Sequence, residues 1–160
     1  MIRIIVFELS FIACLVYVMC CGGKPERASV AALACANIFS IAAIYLLPRA
    51  AGFGTLAEAL AVVDLLLLLG LTWIALIANR FWTIVLAGLQ LSLVLVHASK
   101  ALYPALPAAS YGIFAQFWAW PMIVAVAIGT RNHRKRTRKL GKEADWKPLW
   151  PHSVQAGLST

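Results

Sequence analysis

The chain consists of five long apolar runs separated by short breaks that contain Gly, Pro or charged residues. A bilayer core of ~30 Å needs about 20 apolar residues in a helix, and each run meets that length. Lipid cannot satisfy open backbone groups, so each run must be helical. The sequence therefore predicts five transmembrane helices, at 2–21, 28–47, 57–78, 81–99 and 108–129.

The breaks between the runs indicate how the helices are connected. Pro48 ends the second run, and only Asn79 and Arg80 separate the third run from the fourth. So short a connection predicts a tight antiparallel hairpin. We predict an all-α, polytopic membrane helix bundle of five transmembrane helices at residues 1–130, followed by a short basic tail at 131–160.

The composition agrees with a membrane protein. Hydrophobic residues make up 62% of the chain and charged residues 12%, against ~45–50% and ~25% in typical globular proteins. These values exclude a disordered chain, a soluble nucleic-acid-binding domain and a disulfide-stapled secreted module. The four cysteines form no C-x-x-C pair, and we interpret them as small apolar helix residues. Cys20 and Cys21 are adjacent, which leaves acylation or redox chemistry open there.

The first apolar run is long for a signal peptide. It exceeds the ~7–15 residues of a signal-peptide core, and no A-x-A cleavage site follows it. We therefore expect a retained helix, with a cleaved signal peptide as the alternative.

Lysine and arginine predict the orientation of the bundle. With the N-terminus outside, only Arg3, Arg49 and Lys100 of the 14 Lys and Arg lie on the outer side. An excess of basic residues marks the cytoplasmic side. We predict a multi-pass protein of the bacterial inner membrane with a cytoplasmic C-terminus.

The basic tail predicts a contact with anionic lipid headgroups. Clusters of Lys and Arg next to a membrane segment bind such headgroups, and no soluble domain accompanies this cluster to favour nucleic acid. Half of the 14 basic residues belong to it: Arg131, Arg134, Lys135, Arg136, Arg138, Lys139 and Lys142.

Polar residues inside the predicted helices are candidates for function, because charges within a span are costly and rare. The acids Glu8, Glu58 and Asp64 and the fourth-helix residues Gln90 and His97 all lie within apolar runs. In the predicted orientation, the three acids and His97 fall in the outer half of the membrane. A polar outer cavity forms if their faces converge.

Asp64 is the deepest of these acids, and the tight hairpin predicts a contact between Asp64 and His97. Small residues on the helical face of Asp64 favour close packing against another helix. The contact has two interpretations: a proton or ligand site, or a structural hydrogen bond between helices. Protonation of Asp64 is the alternative to pairing.

An aromatic stretch marks the fifth helix. Pro121 should kink the helix and leave the Phe117 carbonyl without its helical partner. Trp118 and Trp120 lie near mid-membrane, although Trp prefers the interfaces. The stretch is either an aromatic platform for a quinone, pigment or lipid, or bulky packing around a kink.

The sequence carries no signal for a cofactor, a metal or a catalytic site. A haem of the b type usually takes two axial His, and only His97 lies within a predicted span. No nucleophile motif G-x-S-x-G is present. We predict no metal ligands, no cofactor and no catalytic residues, and the interpretation leans away from an enzyme.

Several short motifs resemble those of small uncharacterised multi-pass inner-membrane proteins of bacteria. The resemblance covers less than half of the chain and implies no activity. It is carried by Asp64-Leu65-Leu66, Arg80-Phe81-Trp82, Gln90 with His97, Phe117-Trp118-Ala119-Trp120-Pro121-Met122 and Gly129-Thr130-Arg131.

Three functions remain open. The first hypothesis is a non-enzymatic accessory or assembly subunit of a larger membrane complex, because the chain is small and has no soluble catalytic domain. Its partners would be other membrane subunits or a second copy of the chain. The second is a small proton-coupled transporter that uses Glu8 or Asp64. The third is a membrane enzyme that acts on a lipid or quinone.

Overall fold

The structure is all-helical. A computed structural model describes residues 2–47, 52–78, 80–103, 105, 107–141 and 146. In this part of the chain, five helices are long and apolar enough to cross a membrane. They are α1 (Ile2–Cys21), α2 (Lys24–Leu46), α3 (Gly52–Ile77), α4 (Phe81–Leu102) and α5 (Ala108–Leu140).

α1 has the predicted bounds, whereas the other four helices are longer than the apolar runs that predict them. α2 begins at Lys24 because Pro25 is favourable in a first helical turn and polar residues there do not interrupt the helix. α3 begins at Gly52, earlier than the predicted 57. α5 continues through Pro121 and the basic residues to Leu140. An apolar run predicts the part of a helix that can lie in lipid. The bounds of the helix itself depend on its capping residues and on its backbone hydrogen bonds.

The contacts between helices give the bundle two distinct ends. The N-terminal end holds the starts of α1, α3 and α5, and the C-terminal end holds the starts of α2 and α4. α1 and α5 run in the same direction, because Phe7 packs edge-on against Trp120 with ring centroids 5.5 Å apart and Cys14 Sγ lies 3.8 Å from the Ile123 carbonyl oxygen.

The outward surface of the bundle is apolar. Phe39 is 64% exposed, Leu66 is 63% exposed and Tyr45 is 82% exposed. Soluble monomers seldom expose contiguous apolar surface of this kind. An apolar environment accommodates such a surface, in agreement with the length and hydropathy of the helices.

The buried side of α4 repeats every seven residues. Thr83, Gln90 and His97 occupy one set of positions, and Leu86 and Leu93 occupy the other. Alternating steps of three and four residues are the pattern of helices that pack along a seam. α4 therefore presents polar and leucine side chains in turn to its neighbours.

All five helices contribute to one apolar core. Val18 and Leu86 are completely buried there, and Leu71 is nearly so. Close packing of such side chains accounts for much of the stability of a protein interior. The buried members of this core are Cys14, Val18, Val30, Leu67, Leu71, Leu86, Met122 and Val126.

Two glycines permit close approaches that a side chain would prevent. A Cβ on Gly22 would stand 2.7 Å from the Val18 carbonyl oxygen, where α1 turns into α2. A Cβ on Gly129 would stand 2.7 Å from the indole ring of Trp82, where α5 crosses the start of α4. Gly112, on the same helix α5, has open space around it.

We predict that Gly129→Ala destabilises the bundle and that Gly112→Ala does not. The new methyl group must displace the rigid indole ring, and overpacking of this kind costs about 1–3 kcal/mol. Thermal unfolding of the protein in mild detergent measures the effect, with Gly112→Ala as the matched control. Equal midpoints for the two variants would show that Trp82 does not pack tightly on α5.

Candidate functional site

Three hydrogen bonds join α3 to α4 around one carboxylate. His97 Nε2 lies 2.8 Å from Asp64 Oδ2, so the contact expected from the tight hairpin is present. Gln90 Nε2 donates to Asp64 Oδ1 at 2.9 Å and to the Asp64 carbonyl oxygen at 3.0 Å. Both carboxylate oxygens of Asp64 therefore face a donor on α4.

A tyrosine of α5 extends this arrangement. The Tyr111 hydroxyl lies 2.6 Å from His97 Nδ1, and the two rings meet edge to face with centroids 5.5 Å apart. Gln90, His97 and Tyr111 are buried, while Asp64 is partly exposed. We refer to Asp64, Gln90, His97 and Tyr111 as the Asp64–His97 network.

The network runs from one end of the bundle to its middle. Tyr111 lies in the first turn of α5, whereas Asp64 is the thirteenth of the 26 residues of α3. Asp64 therefore lies at the middle of α3, whose first residue precedes the apolar run that predicts the helix. The four side chains connect the N-terminal end of the bundle to its centre.

The hydrogen bonds of the network fit both the neutral and the protonated form of the His97 imidazole. With one proton on the imidazole, Nε2–H donates to Asp64 and Nδ1 accepts from the Tyr111 hydroxyl. With a second proton, Nδ1–H donates to the Tyr111 oxygen after the hydroxyl rotates, and Nε2–H still donates to Asp64. Histidine is the side chain that ordinarily changes charge between these two forms. The positions of the heavy atoms are therefore compatible with either form of the imidazole.

The other two acids lie apart from the network. The Asn37 amide on α2 donates to Glu8 Oε2 at 3.0 Å, so Glu8 joins α1 to α2. Glu58 is exposed on α3. Of the predicted outer polar group, the structure therefore joins Asp64 and His97, and it brings neither Glu8 nor Glu58 to that pair.

The aromatic stretch of α5 divides between two faces of the helix. Phe117 and Trp120 are exposed and Trp118 is half-buried. Phe117 and Trp118 meet edge-on with centroids 5.6 Å apart, while Trp120 packs against Phe7 of α1. Phe117 and Trp120 therefore share the exposed side of α5, and Pro121 lies within a continuous helix.

A second polar cluster, which the apolar runs did not predict, closes the C-terminal end of the bundle. Arg80 Nε lies 4.0 Å from Glu26 Oε1, with both side chains fully buried. Arg80 Nη2 also lies 3.5 Å from His133 Nδ1 on α5. Arginine always donates, so the His133 nitrogen accepts. The Glu26–Arg80 cluster, formed by Glu26, Arg80 and His133, joins α2, α4 and α5.

Several buried polar atoms beside these clusters have no hydrogen-bond partner among the described residues. They are both carboxylate oxygens of Glu26, Ser29 Oγ, Trp82 Nε1 and the side-chain oxygen of Gln90. Glu26 still contacts Arg80 as an ion pair at 4.0 Å, a distance beyond hydrogen bonding. Unpaired buried polar atoms are costly and usually take up water or a ligand. Buried polar atoms that have no partner among the described residues therefore lie beside the Asp64–His97 network and beside the Glu26–Arg80 cluster.

The basic residues of the predicted lipid-binding cluster extend α5 past the bundle. A helix of 33 residues is about 50 Å long at ~1.5 Å per residue, which exceeds a ~30 Å bilayer core. Arg134 and Arg136 are half-buried, and Lys142 lies outside the described residues. The exposed members are Arg131, Lys135, Arg138 and Lys139.

The C-terminal end also contacts the tail. The backbone of Trp146 pairs with that of Ala78, at the end of α3.

Among the described residues, no group of three or more His, Cys, Asp or Glu lies close enough to hold a metal ion.

We predict that Arg80→Met strongly destabilises the protein, whereas Arg27→Met on the exposed side of α2 does not. Removing one partner of a buried ion pair leaves the other charge uncompensated, which costs about 3–5 kcal/mol. Thermal unfolding in detergent provides the measurement. In a double-mutant cycle, Glu26→Leu with Arg80→Met should lose less stability than the two single variants together. Strict additivity would show that the two side chains do not interact.

Comparisons of the chain with protein-family models, with curated proteins and with solved structures found no match.

Proposed function

We propose that this chain is a small proton-coupled transporter and that the Asp64–His97 network is its proton-binding site. The observation that carries the proposal is the unbroken series of contacts from Tyr111 through His97 to Asp64, at 2.6 Å and 2.8 Å. Chains of Asp and His inside membrane helices are typical of proton relays in pumps and transporters.

The chemistry of the site favours proton exchange over a purely structural role. A structural bond between two helices needs only one donor and one acceptor, as the Asn37 amide and Glu8 provide between α2 and α1. Here a carboxylate, an imidazole and a phenol are arranged in series. The two proton forms differ by one charge, so their relative free energies depend on what surrounds the site.

The arrangement of polar and apolar layers supports alternating access. The network lies towards the N-terminal end, the Glu26–Arg80 cluster closes the C-terminal end, and Leu71 and Leu86 lie in the apolar core of the bundle. An apolar layer between two polar sites prevents protons from leaking through. The side-chain oxygen of Gln90, buried beside Asp64 without a partner among the described residues, offers an acceptor to water or to a solute.

The proposed location is the bacterial inner membrane, with the N-terminus outside and the C-terminus in the cytoplasm. The basic residues of α5 and of the start of α2 support this orientation because they share the C-terminal end of the bundle. In this orientation Tyr111 is the member of the network nearest to the outside. The accessory-subunit hypothesis stays a prediction, because contacts within one chain do not test it.

We predict that a pH jump applied to the reconstituted protein displaces charge through the network. On a solid-supported membrane, wild-type protein should give a transient current as protons enter the site from water. Asp64→Asn and His97→Gln keep side chains that can hydrogen-bond but do not titrate near neutral pH. Both should reduce the current to the level of protein-free membranes while size-exclusion profiles stay unchanged.

The matched control for this experiment is Glu58→Gln, which removes an exposed carboxyl from the same helix. Its current should equal that of the wild type. A current in Asp64→Asn equal to the wild-type current would overturn the proposed site. The absence of any wild-type current above the protein-free level would overturn the proposed function itself.

We predict that reporter fusions will give opposite results at the two ends of α5. A fluorescent reporter that folds only in the cytoplasm should be active after Thr160 and inactive after Tyr103, which follows the end of α4. Alkaline phosphatase, which is active only outside the cytoplasm, should show the reverse. Phosphatase activity after Thr160 would invert the orientation.

A further inference from the structure

A groove lies on the surface of the bundle between the start of α1 and residues 113–120 of α5. Its volume is about 400 Å³, within the ~300–1,000 Å³ of typical small-molecule sites. Phe7 of α1 supports it from behind by packing edge-on against Trp120. Its walls are mainly aliphatic and aromatic and include Val6, Ile113, Phe117 and Trp120.

A single cation stands at the rim of this apolar groove. Arg3 lines the groove, and its Nη2 donates to the Gln116 side-chain oxygen at 3.1 Å. Gln116 thereby holds the guanidinium over the groove. Arginine has five N–H donors in a planar fork, so most of them remain available. Arg3 itself is exposed.

The position of Arg3 along α1 matches the level of lipid headgroups. Arg3 lies in the first turn of a helix long enough to span a bilayer, so its guanidinium reaches the polar interface while the groove below it faces the acyl chains. Planar guanidinium groups recognise phosphate oxygens through paired hydrogen bonds. An apolar groove alone would accept any chain, whereas the cation at its rim selects a headgroup of opposite charge.

We propose that this groove is a binding site for one anionic phospholipid of the surrounding bilayer. The phosphate contacts the Arg3 guanidinium, and one acyl chain lies along Val6, Ile113, Phe117 and Trp120. The site is distinct from the basic residues at the far end of α5, because Arg3 lies at the N-terminal end of the bundle. It does not depend on the Asp64–His97 network and stands whether or not the chain transports protons.

Photo-crosslinking tests the site directly. Full-length protein is reconstituted with phosphatidylglycerol that carries a diazirine in one acyl chain, and the adducts are located by peptide mass spectrometry. Adducts should appear on the groove segments of α1 and α5. With the same diazirine in zwitterionic phosphatidylcholine, groove labelling should be about fivefold weaker, which is the effect of one basic residue near the surface.

Two variants separate the headgroup from the chain. Arg3→Gln should lower groove labelling by phosphatidylglycerol to the phosphatidylcholine level. Ile113→Trp, at an exposed position, fills the groove and should remove groove labelling by both lipids. Lys100→Gln, on the same end of the bundle, is the charge-matched control and should label as the wild type does.

Labelling of the basic end of α5 serves as the internal standard in each sample. It should stay constant in Arg3→Gln and in Ile113→Trp, which shows that each variant is folded and inserted. Equal groove labelling by the two lipids, or undiminished labelling in Arg3→Gln, would overturn the proposal. Labelling that persists in Ile113→Trp would show that the acyl chain lies elsewhere.

Discussion

A polar group inside an apolar bundle costs several kcal/mol unless another group bonds to it, and this constraint determines the packing of α4. Thr83 satisfies its hydroxyl locally, by donating to the Arg80 carbonyl oxygen at 2.6 Å. Gln90 and His97, two turns apart, both require a partner on another helix. Asp64 meets both requirements at once, and this fixes the height of α4 against α3.

The other helices follow from the same constraint. Tyr111 bonds to the second imidazole nitrogen of His97, which sets the height of α5. At the opposite end, Arg80 precedes the first residue of α4 and contacts both Glu26 and His133. α4 is therefore held at both of its ends by polar contacts, and the apolar core of the bundle packs between them.

The contact between Asp64 and His97 could be predicted from the sequence because the connection between α3 and α4 is too short to permit another alignment. The contact of Tyr111 with His97 could not be predicted in this way. The loop before α5 is longer and allows several positions of that helix along the bundle axis. A hydropathy pattern also places Glu26 outside its span, although Pro25 beside it is a recognisable signal for a first helical turn. The rotation of α1 about its axis, which turns Glu8 towards Asn37, has no signature in an apolar run.

The seven-residue spacing of Thr83, Gln90 and His97 limits how this sequence can change length. Each residue of an α-helix turns by about 100° about its axis. One residue inserted between Gln90 and His97 would therefore rotate the imidazole away from both Asp64 and Tyr111. The loop between α4 and α5 carries no such constraint. Related chains that share this architecture should vary in length in that loop and keep α4 free of insertions and deletions.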